Sequence, residues 1–271
     1  MVISMIEENK VKKTLSIRIS TNGFCFCSYT PSDPESLRFS TYTPDEEQSM
    51  ASNIQTAIQE NPLIRKNEEY DIKVIMETGT YTCIPTEYDN KAEYTLFFRQ
   101  CFPATGDNVE IVANRLNAQG YTILFPVEKS IQETLQQLGE VTFYTPASII
   151  MGYLNYKPID EERYMLMYMY NSLAFMLTMK NGKAGISNIF RKEDNESTLF
   201  YLLSIWKEEG LSQTGDALYL CGDRSIEEFT RSAERFIKRI KRINPNEMFQ
   251  PSLLNRIEGI PFDLQALILC G

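Results

Sequence analysis

From Thr14 the chain alternates between apolar and polar positions. Leu15, Ile17 and Ile19 share one face of a predicted strand, Thr21-Asn22-Gly23 marks a turn, and Phe24 to Tyr29 returns. Leu37 to Tyr42 predicts a third strand. Pro44 and Asp45 then lead into a helix with Met50, Ile54, Ala57 and Ile58 on one side, and Tyr70 to Glu77 predicts a fourth strand.

The same succession recurs further along. Tyr164 to Tyr170 is a strand, Asn171-Ser172 a turn, and Leu173 to Met179 returns. Asn181-Gly182 then signals a hairpin into Ala184 to Phe190. A helix with Leu199, Leu202, Leu203 and Trp206 on one face stops at Gly210, and Ala217 to Cys221 is a buried strand. Strand-strand-strand-helix-strand occurring twice predicts a duplicated α/β architecture. Between the repeats, Asp107 is expected to cap a helix carrying Val109, Val112 and Leu116 and ending at Gly120. A second helix spans Glu128 to Leu138, Val141 to Tyr144 is a short strand, and Pro146 opens a helix through Ile150 and Leu154. Pro158 and three acidic residues place the expected boundary near 155–162. The halves are then 1–157, which carries the inserted segment, and 158–271.

Composition narrows the chemistry. With 271 residues, 43% hydrophobic and 23% charged, the chain can build a sizeable core. A net charge of −9 disfavours nucleic acid and anionic membrane surfaces. No apolar run reaches the roughly 20 residues of a membrane span, and Met1 to Lys13 does not read as a signal peptide, so a cytoplasmic location is expected. The chain contains no histidine, which removes imidazole-based nucleophilic catalysis and imidazole metal ligation. The six cysteines lie in apolar stretches. Cys25 and Cys27 fall on one strand face, yet no second pair stands at zinc-site spacing, so buried thiols are expected.

The repeated layout, together with Val141-Thr-Phe-Tyr-Thr-Pro-Ala147 at the end of the first half, resembles the actin-like ATPase superfamily, with two RNase H-like halves. The layout looks most similar to the branch containing pilus-assembly and secretion-system cytoplasmic proteins, and to an uncharacterised bacterial family with a degenerate nucleotide site. The resemblance implies two phosphate-binding hairpins, each with an Asp and a Gly. Here the first reads Leu15-Ser-Ile-Arg18-Ile19-Ser20-Thr21-Asn22-Gly23, so Arg18 stands at the Asp position and Ser20 at the Gly. The second reads Leu166-Met-Tyr168-Met169-Tyr170-Asn171-Ser172, with Tyr168 at the acidic position and bulky Tyr170 at the glycine. The adenosine-contacting Gly-Gly is reduced to Gly222 in Leu218-Tyr-Leu-Cys221-Gly222-Asp223. Neither hairpin contains an acid to position magnesium. By this resemblance, Ser20, Thr21, Asn22, Gly23, Asn171, Ser172 and Gly222 are the candidate lining of a cleft between the halves, with no catalytic or metal residue among them. Arg18 could hold an anion, although an arginine on an alternating strand usually faces solvent.

Other features have plainer expectations. Ile226 to Asn244 reads as an amphipathic helix with Arg231, Arg235, Lys238 and Arg242 on its solvated side. Asp160-Glu161-Glu162 reads as a solvated linker, and the apolar tail Ile257 to Cys270 is expected to dock on the body. The leading expectation is a non-catalytic, actin-like scaffold for an unknown protein partner, with no cofactor supported by motifs. The alternative is a nucleotide binder or slow ATPase drawing carboxylates from outside the hairpins, such as Glu77 or Asp223.

Overall fold

The alternating segments form strands of two five-stranded sheets with one topology. β1 (Lys13–Ser20), β2 (Gly23–Thr30) and β3 (Asp33–Tyr42) make an antiparallel meander, followed by α1 (Met50–Glu60) and β4 (Tyr70–Met76). β4 and β8 (Val141–Tyr144) add in parallel, so the order is β3-β2-β1-β4-β8. The second sheet repeats this with β9 (Arg163–Tyr170), β10 (Leu173–Lys180), β11 (Lys183–Arg191), β12 (Ala217–Gly222) and β13 (Arg239–Arg242), in the order β11-β10-β9-β12-β13. The computed structural model describes residues 12–65, 68–223, 225–243 and 259–270. Most of the N-terminal stretch read against a signal peptide, and residues 244, 257 and 258 of the two C-terminal segments discussed above, lie outside them.

Helices cover the sheets. α3 (Lys129–Gln136) and α4 (Pro146–Tyr156) flank β8, while α5 (Asn195–Glu208) and α6 (Ile226–Ala233) flank β12. α4 starts where expected because Thr145 caps it, accepting from the Ala147 N–H while Ser148 accepts from the Thr145 N–H. The tail forms α7 (Phe262–Cys270), whose Phe262, Leu264, Ala266 and Leu267 are buried against α4 and β1. β1 and β9 are covered on both faces, so even their polar side chains are enclosed.

Two of the expected elements fail. Residues 109–116 form β6 (Val109–Leu116), not a helix. β6 returns at Gly120 (φ 74°) into β7 (Tyr121–Glu128), and β5 (Thr82–Pro85) completes a three-stranded sheet of order β5-β7-β6. Val109, Val112 and Leu116 satisfy a helical spacing, but Val109, Ile111 and Ala113 also share a strand face. That face packs with Ile84, Leu124 and the Tyr94 and Phe98 rings of α2 (Tyr94–Cys101). Burial against α2 and the β-branched content decide the outcome. The second failure is the basic helix, which ends at Ala233. Lys238 to Arg242 instead turns into the outermost strand β13, which pairs in parallel with β12. Charged side chains on an edge strand are a common guard against further pairing.

Candidate functional site

The two hairpins face one another, and the protein's own side chains pack between them. Arg18 lies mid-β1 with Cys25 of β2 and Ile75 of β4 as its cross-strand neighbours. It is not on a solvent face, since its side chain is only 2% exposed. α7 brings in Asp263, fully buried, whose carboxylate accepts from Arg18 Nε at 2.8 and 3.1 Å. Glu77, just beyond β4, sets Oε2 2.7 Å from Arg18 Nη2, an ion-pair distance at an angle too poor for a directed hydrogen bond. Glu77 is fixed there because its N–H donates to the Ile19 carbonyl. The guanidinium lies over the Tyr170 ring, 4.3 Å from its centroid. Tyr168 stands behind, its ring 6.2 Å from that of Phe262.

The electrostatics follow from this enclosure. Burial alone would lower the Arg18 pKa, but Asp263, Tyr168 and Glu77 together hold it well above the ordinary value. Burial pushes the Glu77 carboxyl up, against the opposing pull of Arg18. Burial likewise raises the Cys25 thiol to about 11 and the Cys27 thiol to about 12, so neither is a ready nucleophile or metal ligand. Among the described residues, no group of three Cys, Asp or Glu is placed to hold a metal ion.

Of the residues expected to line the cleft, Ser20 and Asn171 meet. Ser20 Oγ donates to the Gly23 carbonyl at 2.8 Å and accepts from Asn171 Nδ2 at 3.4 Å, so the hairpin turns touch. Thr21 and Asn22 are exposed and bond each other, and half-buried Ser172 offers its carbonyl to the Lys192 N–H. Gly222 has φ 143°, and a Cβ there would lie 1.7 Å from the Met169 carbonyl oxygen. Gly222 therefore serves strand packing whether or not any ligand is bound. The outside carboxylates are engaged as well, with Glu77 on Arg18 and Asp223 accepting from the N–H groups of Asn171 and Ser225. In the acidic run, Glu161 pairs with Arg239 and Lys241.

The cluster itself is tightly packed. Between Arg18, Glu77, Tyr168, Tyr170 and Phe175 there remains a void of about 10 Å³, room for about one water. Ligand pockets typically run to roughly 300–1,000 Å³. Asp263 is the residue that sequence reasoning missed. Its signal was a lone acid inside the apolar run Ile260 to Leu269, which needs a cation once buried.

Residues 4–240 match the family described as "Protein of unknown function (DUF3822)". The chain belongs to that family. A search of curated proteins finds no match. A solved protein from Bacteroides thetaiotaomicron, described as having an actin-like ATPase fold and unknown function, superposes with a TM-score of 0.80 at 24% identity. It covers 98% of this chain and 100% of its own. The PilM-PilN type IV pilus biogenesis complex superposes at 0.53 and 11% identity, covering 95% of this chain and 97% of that one. The family member thus has the actin-like ATPase fold, with Arg18, Glu77, Asp263, Tyr168 and Tyr170 packed together at its two hairpins.

Proposed function

We propose that this family member is a non-catalytic actin-like protein that works by binding another protein. The observation that carries this reading is the Arg18–Asp263–Glu77 cluster at the position where the resemblance expects a magnesium-positioning acid. A buried guanidinium satisfied by two carboxylates has no reason to release them for a phosphate. Opening the site would leave Asp263, buried in α7, without its cation. With the cleft closed, the fold keeps a rigid body and a small appended sheet, which suit a docking platform. A structural neighbour is itself one member of a two-protein assembly by its description, the PilM-PilN complex. Free thiols at Cys25, Cys27, Cys83, Cys101 and Cys221 accord with a reducing compartment, and we place the protein in the cytoplasm. No helix among the described residues is long and apolar enough to cross a membrane.

The test is phosphate release from millimolar magnesium ATP and GTP, run with wild type and with Glu77→Gln, which removes the nearest carboxylate. The reading expects both to match a protein-free blank. Turnover by wild type that Glu77→Gln abolishes would establish a catalytic carboxylate and overturn it.

A further inference from the structure

The basic side chains expected on one continuous helix are divided between α6, the turn after it and β13. Residues 231–242 carry six Lys and Arg and a single acid, Glu234, in a chain of net charge −9. An ordinary amphipathic helix would have accounted for such a stripe, but the helix stops at Ala233. The fold nevertheless brings the cations together again. Arg231 Nε reaches the Glu227 carbonyl at 3.5 Å, and Arg242 Nη1 lies 3.9 Å from Glu227 Oε1, so α6 and β13 set these two arginines beside one residue. Arg235 and Lys238 lie in the turn between the two elements, both exposed. On the other face of β13, Arg239 and Lys241 share Glu161 at 2.8 and 2.6 Å. Acids balance only part of this charge. Among the described residues, no carboxylate is in ion-pair contact with Arg231, Arg235 or Lys238. Glu227, 65% exposed, is too solvated to hold Arg242 strongly.

The strand itself adds a second observation. β13 is the outermost strand of its sheet. Just past it, the Ile243 N–H donates to the Leu220 carbonyl of β12, so by alternation Ile240 and Arg242 turn their main-chain N–H and C=O groups away from β12. This open edge chooses among anionic partners. A polypeptide main chain supplies both the acceptors and the donors that such an edge can pair with. A row of phosphates supplies acceptors only, and it would meet the outward carbonyls as well as exposed Glu227, Glu228 and Glu234 among the cations. Cations along the edge repel a second copy of the same strand and favour an acidic one. The Phe236 ring, with the Arg235 guanidinium 5.9 Å from its centroid, adds an exposed apolar contact in the same turn.

We infer that the β13 edge is the docking site for an extended, acidic segment of a partner protein. The segment adds as a strand beside β13, and its carboxylates pair with Arg231, Arg235, Lys238 and Arg242. This rests on the reading of the protein as a binder of another protein. Strand addition supplies affinity through the main chain, and the cations select the side chains.

The test is selection of a random peptide library displayed on phage against the full chain. The enriched peptides, made synthetically, are then titrated by fluorescence anisotropy at low and raised salt. Arg231→Glu, Arg235→Glu and Lys238→Glu together reverse three exposed charges, and circular dichroism checks that this variant folds. The expected result is enrichment of peptides with Asp or Glu at alternate positions, which protect residues 240–242 from amide hydrogen exchange and lose affinity as salt rises. The triple variant should bind them at least about tenfold more weakly, a difference of about 1.4 kcal/mol. N-methylating alternate peptide residues removes main-chain donors and leaves the carboxylates, and it should weaken binding in one of the two registers. No enrichment, enrichment of uncharged or basic peptides, or acidic peptides that the triple variant binds unchanged would overturn the site. Indifference to N-methylation in both registers would overturn the strand addition. Tighter binding of a single-stranded oligonucleotide, or of vesicles containing phosphatidylserine, than of any peptide would overturn the choice of a protein segment. Peptides that bind elsewhere on the chain would sink this site and leave the protein-binding reading standing, and the phosphate-release assay decides the closed cleft separately.

Discussion

Replacing Arg18 with methionine removes the guanidinium from between Asp263 and Glu77 and leaves both acids enclosed, with side-chain exposures of 0% and 4%. Breaking a buried pair by deleting one partner costs about 3–5 kcal/mol, because the charge left behind has neither water nor counter-ion. Loss of the stack on Tyr170 adds to this in the same direction. For a chain of this size each kcal/mol moves the thermal midpoint by roughly 2–4 °C, so a fall of roughly 10 °C is expected in calorimetry or circular dichroism. The triple variant Arg18→Met, Glu77→Leu, Asp263→Leu removes all three charges together. It should recover most of the loss, since apolar replacement of a whole buried ion cluster is often neutral or stabilising. An Arg18→Met penalty below about 1 kcal/mol is the value of a solvent-exposed ion pair, and it would refute the enclosure argued here. Equal loss in the single and triple variants would refute the assignment of that loss to stranded carboxylates.

Three further outcomes follow from the same geometry. Because burial raises the folded-state pKa of Glu77, its contribution is fully present below the unfolded pKa of about 4.3 and lost as pH rises through the raised value. Glu77→Gln stays neutral, so its urea-derived stability relative to wild type should climb with pH from about 4 upward. A flat or falling difference contradicts the shift. Gly222→Ala forces a Cβ into the Met169 backbone at a positive φ and should cost more than about 3 kcal/mol or prevent folding. Gly182→Ala, at φ 73° with open space around it, should cost only about 1–2 kcal/mol in the same denaturation assay. Among the described cysteines, exposed Cys101 should react with an aromatic disulfide reagent in the native protein. Buried Cys25, Cys27 and Cys221 should react only after unfolding, and fast native labelling of those three would count against the packing of β2 and β12.

The repeated meanders were legible because they alternate with period two and turn at Thr21-Asn22-Gly23 and Asn181-Gly182, signals that local chemistry sets. The inserted sheet was not. Val109, Val112 and Leu116 fit helical spacing while Val109, Ile111 and Ala113 fit strand alternation, and the tie is broken by packing against α2, outside the segment itself. The same holds for β13, whose strand character comes from an open place beside β12. At the cleft, the loss of acids from both hairpins could be read directly from Arg18 and Tyr168. The replacement could not, because Arg18 and Asp263 are 245 positions apart and only the docking of α7 brings them together. Between Ile17 and Ile19 on an alternating strand Arg18 read as solvent-facing, and Asp263 went unread inside its apolar segment. Nothing in either segment named the other as its partner.

The most direct test of the closed cleft is thermal unfolding of the full chain with and without millimolar magnesium ATP, ADP and GTP. A ligand at 100 times its dissociation constant adds about 2.7 kcal/mol, which at roughly 2–4 °C per kcal/mol is a shift of several degrees. The account predicts no shift with any of the three. A nucleotide-specific rise of several degrees that Arg18→Met alters would show that the cleft opens to a nucleotide, and would contradict the proposal that the protein's own side chains close it.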